Sequence, residues 1–272
     1  MESSRLPKKV RASHLAEFRS SGQKFSCLTS YDQLTAGIFD EAGIEVILVG
    51  DSAADNALGY STTLPISVDE IIPFGRAVAG ATTRALVVVD MPFGSYEVSA
   101  EQALENAIRI MKATGADAVK LEGGVRSSAQ IKAITTAGIP VMGHIGFTPQ
   151  SVNNLGGFKV QGRGDGADLL LEDAKAVAEA GAFSVVLELV PASLAKRVTE
   201  TCGIATIGIG AGPDTDGQIL VWTDFAGLSG LKPKKFVKQY AQMRSMLIDA
   251  ATEYRNEVQT GAFPSAERSF ES

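Results

Sequence analysis

Short apolar runs alternate with longer amphipathic segments along most of this 272-residue chain, and this alternation restricts the fold more than any other feature. Most of the runs are β-branched or apolar throughout, which is typical of parallel strands covered on both faces. The segments between them have helical spacing, and several end in a glycine just before the next run, as at Gly43 and Gly181. The predicted strands are 25–29, 46–50, 85–90, 118–122, 140–144, 183–188, 205–210 and, more weakly, 218–222.

About eight strand-then-helix units in succession predict an α/β fold, the (β/α)8 TIM barrel. No change in composition marks a boundary, so we expect one domain over residues 1–272. A doubly wound open sheet is the alternative. It commonly has fewer strands and a glycine-rich turn after the first one, and the stretch SYDQLTAG after Thr29 is not such a turn.

The two ends of the chain are expected to lie outside the barrel. Residues 1–20 are predicted to form a helical extension, and 262–272 a mobile tail. The segment before that tail predicts one or two C-terminal helices. The apolar stripe expected there comprises Phe236, Tyr240, Met243 and Leu247.

Composition excludes several classes of function. Hydrophobic residues make up 45% of the chain and charged residues 21%, with a net charge of −6, which disfavours nucleic-acid binding. No apolar run approaches the ~20 residues of a membrane span, and the N-terminus has no apolar signal region, so we expect a cytoplasmic protein. Cys27 and Cys202 lie among apolar neighbours and are predicted to be buried free thiols.

Ionisable residues stand at the ends of the second to the sixth predicted strands. In a parallel barrel those ends form the rim that carries the active site. An acid after a strand is often only the N-cap of the next helix. However, glutamate is a poor N-cap, and long loops separate two of the acids from their helices. The residues at the five strand ends are Asp51, Asp90, Glu122, His144 and Glu188.

Several carboxylates on one dry rim repel each other unless a cation or a proton lies among them. Lys120 alone does not neutralise four, whereas Mg²⁺ accepts oxygen ligands and commonly uses one or two carboxylates. The sequence therefore predicts Mg²⁺ on Asp51 and Asp90, with Glu122 bound directly or through water. Glu188 is left for proton transfer, and Lys120 for a substrate anion or a developing enolate charge.

This set of groups suits the chemistry of 2-oxo acids. Such a substrate chelates the metal, which acts as a Lewis acid and stabilises the enolate when a base removes the neighbouring proton. The result is carbon–carbon bond making or breaking without a Schiff base, as in class II aldolases. His144 is expected to hydrogen-bond a carboxylate or to polarise the substrate.

The chain resembles the ketopantoate hydroxymethyltransferase family. The matching stretches run in order from Leu28 to Asp224, and two of them, GHIGFTPQ and IGIGAGPDTDGQ, are long enough to be specific. The others are LTSYD, VGDS with STTLPISVDE, VVVDMPFGSY, AVKLEGG, NNLGGFKVQGRG, LELVPASLAKRVTE and ILVWTD.

The resemblance implies a (β/α)8 barrel of the phosphoenolpyruvate/pyruvate type. It also implies transfer of a one-carbon unit from 5,10-methylenetetrahydrofolate to 3-methyl-2-oxobutanoate, giving 2-dehydropantoate for pantothenate synthesis. The expected partners are therefore the 2-oxo acid and folate, with no nucleic acid and no membrane. Members of the family assemble as homo-oligomers, so a decamer is expected.

The resemblance also assigns roles to residues of this chain. It makes Glu188 the proton acceptor, and it implies contacts of Ser52 and Lys120 with the 2-oxo acid. The loop 53–64 departs from the family in being less apolar. The remaining implied residues are Asp51, Asp90 and Glu122 for Mg²⁺, with Asp51 and Asp90 also contacting substrate.

Two rival functions follow from the same scaffold. A lyase or mutase acting on a C–C or P–C bond would be expected to carry a reactive cysteine in a rim loop. Cys27 lies within a predicted strand and Cys202 within a predicted helix, so neither fits. A catalytically silent barrel would be expected to have lost a rim acid, and none is lost.

Overall fold

The computed structural model describes residues 8–230 and 232–270. Eight strands close into a barrel in which each strand pairs in parallel with the next, and β1 pairs with β8. The predicted barrel is confirmed, and its predicted strands differ from the observed ones by at most two residues at either end. The strands are β1 Phe25–Thr29, β2 Val46–Val49, β3 Leu86–Asp90, β4 Ala118–Glu122, β5 Val141–Gly146, β6 Ser184–Glu188, β7 Ala205–Ile209 and β8 Gly217–Leu220.

Helices connect most of the strands. Ser67 begins one of them with a capping box, its hydroxyl accepting from the backbone N–H of Glu70. Short 3₁₀ helices occupy Val125–Ser127, Pro149–Ser151 and Ala266–Arg268. The helices are α1 Ala12–Ser21, α2 Gln33–Glu41, α3 Ala53–Asn56, α4 Val68–Ala81, α5 Ala100–Thr114, α6 Ser128–Thr136, α7 Val152–Leu155, α8 Gly166–Glu179, α9 Ala192–Thr201, α10 Trp222–Phe225 and α11 Met243–Thr260.

The regular alternation of strand and helix fails once, between β7 and β8. Residues 210–216 join these two strands through a loop without a helix. The sequence there contains Gly210, Gly212 and Pro213, and glycine and proline both disfavour a helix interior.

Apolar side chains from all eight strands fill the barrel interior. Alternate residues of each strand point inward, so Leu86 and Val88 of β3 belong to the same buried cluster as Val46 and Leu48 of β2. Helix α1 adds Leu15 and Phe18 to this cluster, and the rings of Phe18 and Phe25 lie 6.0 Å apart. Since Phe25 begins β1, α1 covers the N-terminal end of the barrel.

The described chain falls into two compact units, one ending at Val221 and one beginning at Trp222. The first contains the barrel and the second contains α10 and α11. The expectation of a single domain over 1–272 stays a prediction. Residues 1–7 of the expected N-terminal extension, and 271–272 of the expected tail, lie outside the described residues.

The predicted apolar stripe at the C-terminus is wrong. Helix α11 begins only at Met243, so Phe236 and Tyr240 precede it. Tyr240 instead stacks on Phe225, with ring centroids 5.1 Å apart, and its backbone N–H donates to the Phe225 carbonyl at 2.8 Å. Pro233 also disfavours a helix immediately before it.

Cys27 and Cys202 are free and buried, as predicted. Over the residues that the structure describes, no helix is long and apolar enough to cross a membrane.

Candidate active site

The strand periodicity that builds the core also places the ionisable groups. Asp90 follows Leu86 and Val88 on the inward side of β3, and Lys120 and Glu122 follow Ala118 on β4. Strand register then aligns the neighbours across the sheet. Asp90 pairs with Lys120, Glu122 pairs with His144, and Gly146 pairs with Glu188.

The backbone of Asp51 and the carboxylate of Asp90 are in direct contact. The backbone N–H of Asp51 donates to Oδ2 of Asp90 at 3.0 Å. The other Asp90 oxygen, Oδ1, accepts from the Lys120 ammonium at 2.5 Å. All three side chains are buried, so the ion pair between Asp90 and Lys120 lies out of contact with bulk water.

His144 stands between two glutamates. Its Nδ1 lies 3.4 Å from Oε1 of Glu122, and its Nε2 lies 3.3 Å from Oε2 of Glu188. Burial and the charge of Lys120 lower the pKa of His144, but the two glutamates outweigh them and raise it to about 9. At neutral pH His144 is therefore a cation that links the two carboxylates.

The pKa of Asp51 shows how unfavourable this concentration of acids is. Burial, together with the negative charges of Asp90 and Glu122, raises the pKa of Asp51 to about 8. Lys120 opposes this effect through its charge, and Gln150 through a hydrogen bond. Burial lowers the pKa of Lys120, but the carboxylates around it outweigh burial and raise that pKa above its ordinary value.

The charge balance of the rim leaves room for a divalent cation. Four carboxylates face Lys120 and protonated His144, so the rim has one uncompensated negative charge while Asp51 keeps its proton and two once Asp51 ionises. No group of three or more His, Cys, Asp or Glu side chains within residues 8–230 and 232–270 is arranged to hold a metal by itself. Asp51 and Asp90, which are buried and in contact, could hold a cation that takes only one or two carboxylates from protein, as Mg²⁺ commonly does.

Ser52 lies next to Asp51, at the beginning of α3. Its hydroxyl is 2.8 Å from the hydroxyl of Tyr31, which lies in the loop after β1. An added Cβ on Gly50 would approach the Ser52 hydroxyl to 2.6 Å, so a side chain at position 50 would force this hydroxyl to move. The structure thus places every residue of the predicted site on one end of the barrel.

Three further residues of this rim were missed by the sequence reasoning. Gln150 and Tyr96 are both buried: Gln150 donates to the Asp51 carboxylate, and the Tyr96 hydroxyl accepts from the backbone N–H of Glu122. Tyr31 contacts Ser52. None of the three lies in a strand, since Tyr31 and Tyr96 are in loops and Gln150 is in the 3₁₀ helix Pro149–Ser151, so strand periodicity does not find them. The available signal was their position in the stretches GHIGFTPQ, VVVDMPFGSY and LTSYD, which carry the family resemblance.

Comparison with solved structures defines the class of fold. The chain is similar to phosphonopyruvate hydrolase crystallised with oxalate and Mg²⁺, with a TM-score of 0.61 and 13% identity over 95% of this chain and 93% of that one. It is similarly close to 2,3-dimethylmalate lyase of the PEP mutase/isocitrate lyase superfamily, with a TM-score of 0.58 and 13% identity over 96% and 91%. The fold is therefore a TIM barrel similar to the barrels of these two enzymes.

Comparison with sequences narrows the class to one family. The family model for ketopantoate hydroxymethyltransferase matches residues 9–266. A 3-methyl-2-oxobutanoate hydroxymethyltransferase of Leifsonia xyli subsp. xyli is 60% identical over 97% of this chain and 95% of that protein. One from Mycobacterium tuberculosis is 58% identical over 96% and 93%. The chain belongs to the ketopantoate hydroxymethyltransferase family.

Proposed function

We propose that this chain catalyses the Mg²⁺-dependent transfer of a hydroxymethyl group from 5,10-methylenetetrahydrofolate to 3-methyl-2-oxobutanoate. The product is 2-dehydropantoate, a precursor in pantothenate synthesis. Membership of the family supports the reaction. The observation that carries the mechanism is the buried contact between Asp51 and Asp90 in a rim where acidic side chains outnumber cationic ones.

Asp51 and Asp90 would hold the Mg²⁺, with Glu122 acting through water behind them. This assignment is supported by the contacts of Glu122, whose Oε2 accepts from the backbone N–H of Gln150 at 3.0 Å and whose Oε1 faces His144. When bound, Mg²⁺ supplies Lewis-acid polarisation of the substrate carbonyl, which acidifies the neighbouring C–H.

Glu188 is the proposed base that takes the proton from C3 of the substrate. It ends β6, and its side chain is 14% exposed, compared with 1% for Glu122. Of Glu122 and Glu188, Glu188 is therefore the one that a substrate entering from solvent meets. His144 holds Glu188 from behind, so the carboxylate has a fixed position for proton transfer.

Lys120 is the proposed stabiliser of the negative charge that proton loss leaves on the substrate. Its ammonium is buried against Asp90 and is charged at all physiological pH values, because the surrounding carboxylates raise its pKa. Ser52 would hydrogen-bond the substrate carboxylate, and Tyr31 fixes the orientation of its hydroxyl.

Two measurements separate the steps of this proposal. The first is formation of 2-dehydropantoate from both substrates with Mg²⁺, and its loss with a chelator. The second is exchange of the C3 proton of 3-methyl-2-oxobutanoate with D₂O, followed by NMR without the folate. Glu188→Gln should lower both rates about 10²- to 10⁴-fold, the usual contribution of a general base.

Glu200→Gln is the matched control, since it makes the same change on an exposed position of α9. It should leave both rates unchanged. If Glu188→Gln exchanged the proton at the wild-type rate, another base would be acting. If wild-type protein exchanged the proton but formed no product with the folate, the one-carbon donor would be misassigned.

We also propose that the chain forms a homo-oligomer, with a decamer as the expected state. Helix α11 supports this, because it exposes apolar side chains that a single chain leaves in water. Native mass spectrometry would measure the subunit number directly, and a monomer at micromolar concentration would contradict the proposal. The exposed apolar residues of α11 are Met246, Leu247, Ile248, Tyr254 and Val258.

A further inference from the structure

Gln150 lies in the 3₁₀ helix Pro149–Ser151 and is only 5% exposed, although its side chain is polar. Its Nε2 donates to Oδ2 of Asp51 at 2.9 Å and to the carbonyl of Met91 at 3.1 Å. Its Oε1 accepts from the hydroxyl of Tyr96 at 2.5 Å, and its backbone N–H donates to Oε2 of Glu122 at 3.0 Å. One residue therefore contacts the loops that follow β2 and β3 and the last residue of β4.

The orientation of the Gln150 amide follows from its neighbours. The carbonyl of Met91 can only accept a hydrogen bond, so the amide nitrogen must face it. The oxygen then faces Tyr96, whose hydroxyl donates to it while accepting from the backbone N–H of Glu122 at 3.3 Å. Asp51 consequently meets an N–H donor that cannot turn away without breaking two other hydrogen bonds.

We infer that Gln150 is a positioning residue that fixes the relative placement of Asp51 and Glu122 for cation and 2-oxo acid binding. The two carboxylates come from different strands and repel each other, so they need a common support. Gln150 gives each of them one donor and adds no charge, so it holds the carboxylates in place while preserving the net negative charge that attracts the cation. With one oxygen of Asp51 held by Gln150, the other is left for the ligand.

Tyr96 is the outer part of the same support. It is 2% exposed, and its hydroxyl joins Gln150 to the backbone of Glu122. Asn106 of α5 holds the loop that carries Tyr96, since its side chain donates to the carbonyl of Ser95 at 2.7 Å. The network therefore extends from the carboxylates to helix α5. It can hold Asp51 and Glu122 in place against their mutual repulsion.

This inference rests on the proposed function, and its test is chosen to distinguish the two. Gln150→Met keeps the length and volume of the side chain but removes both donors of the amide. Mn²⁺ serves as the probe, because oxygen ligands that suit Mg²⁺ also suit Mn²⁺ and its binding is measured directly by electron paramagnetic resonance. The dissociation constants of Mn²⁺ and of 3-methyl-2-oxobutanoate are measured on folded protein, with the thermal midpoint recorded alongside.

Loss of a hydrogen bond to a charged group predicts Mn²⁺ binding about ten- to a hundredfold weaker in Gln150→Met. The matched control is Gln130→Met on α6, which removes an amide far from the carboxylates and should leave both constants unchanged. A purely structural role for Gln150 would lower the thermal midpoint and leave both dissociation constants at wild-type values. That result would overturn the inference.

A crystal structure of Gln150→Met gives a readout that needs no cation. Displacement or a second conformer of the Asp51 carboxylate supports the positioning role, and an unmoved Asp51 refutes it. If wild-type protein showed no saturable Mn²⁺ binding, the metal proposal would fail, and this crystal structure would still decide the role of Gln150. Should Gln150→Met not fold, Tyr96→Phe takes its place with the same measurements, and a smaller weakening of Mn²⁺ binding is expected.

Discussion

Replacing Asp51 by Asn should make the metal-free protein more stable at alkaline pH. Asp51 is buried beside Asp90 and Glu122, and its raised pKa means that ionising it in the folded state is unfavourable. Asn is nearly the same size and carries no charge. Its carbonyl oxygen can still accept the hydrogen bond from Gln150, so the change removes the charge and keeps the contact.

The size of the effect follows from the two pKa values of Asp51. An unfolded aspartate has a pKa of about 3.9, whereas in the folded protein burial and the neighbouring acids raise it to about 8. One pKa unit corresponds to about 1.36 kcal/mol, so ionisation of Asp51 costs the folded state ~6 kcal/mol once the pH exceeds 8. Total stabilities are about 5–15 kcal/mol, so this is a large share.

The direction with pH is fixed by proton binding. Between the two pKa values the folded state keeps the proton on Asp51 and the unfolded state has lost it, so stability falls as the pH rises. From pH 5 to pH 8.5 the wild-type free energy of unfolding should fall by ~4 kcal/mol through this group alone. His144 acts in the same direction, because its folded pKa is raised to about 9, and it does so equally in wild type and variant.

The assay is urea unfolding at fixed protein concentration, with a chelator present, at pH 5 and pH 8.5. The difference between Asp51→Asn and wild type isolates Asp51, and it should grow in favour of the variant as the pH rises. Saturating Mg²⁺ should stabilise the wild type and not the variant. A variant that is less stable than wild type at pH 8.5, or a difference that stays constant with pH, would refute the reasoning.

Asp40→Asn is a control at the other end of the barrel, because the pKa of Asp40 is lowered whereas that of Asp51 is raised. Burial alone would raise the pKa of Asp40, but donors from Ala85, Thr83 and Arg84 outweigh burial and lower it. Its stabilising effect is present above the unfolded pKa and is lost only at lower pH. Asp40→Asn should therefore destabilise the protein equally at pH 5 and pH 8.5.

Three further changes test other parts of the site and the fold. Lys120→Met removes one member of a buried ion pair and leaves Asp90 without the Lys120 ammonium. It should destabilise the metal-free protein by about 3–5 kcal/mol, as measured by urea unfolding in chelator, and it should lower the kcat of product formation. Gly146→Ala puts a Cβ 2.4 Å from the backbone oxygen of Glu188 at a residue with φ of +88°, so it should lower both the thermal midpoint and the rate of C3 proton exchange. Ser67→Ala removes the cap of α4 and should cost about 1 kcal/mol of stability with kcat unchanged.

The sequence predicts the barrel and the strand-end acids well, because both depend on local periodicity. A run such as 86–90 is apolar at every position until Asp90, so its buried character and the place where it meets solvent are both visible in the sequence. Once the strands are parallel and closed, Asp90, Glu122 and Glu188 must share one rim. No long-range information is needed for that conclusion.

The contacts made by the loops could not be predicted in the same way. Gln150 is 99 residues from Asp51 along the chain, and Tyr96 is 54 residues from Gln150. Their pairing depends on how three rim loops fold over one another, and loop conformation has no simple period. The predicted apolar stripe at the C-terminus was wrong for a related reason. Tyr240 contacts Phe225, a residue distant from it in the pattern, and lies before the first residue of α11.

The inward-outward alternation of residues along each strand places both the core and the site. This shared origin explains how the barrel tolerates an unfavourable cluster of charge. The inward positions of β3 are apolar until Asp90, and those of β4 are apolar until Lys120 and Glu122. The carboxylates therefore lie above a packed apolar interior, and α1 covers the opposite end of that interior. The repulsion among them is confined to one end, where Lys120, His144 and the Gln150 amide each offset part of it. Chemistry can therefore change at the strand ends without altering the packing beneath, which is consistent with barrels of the same shape at only 13% identity.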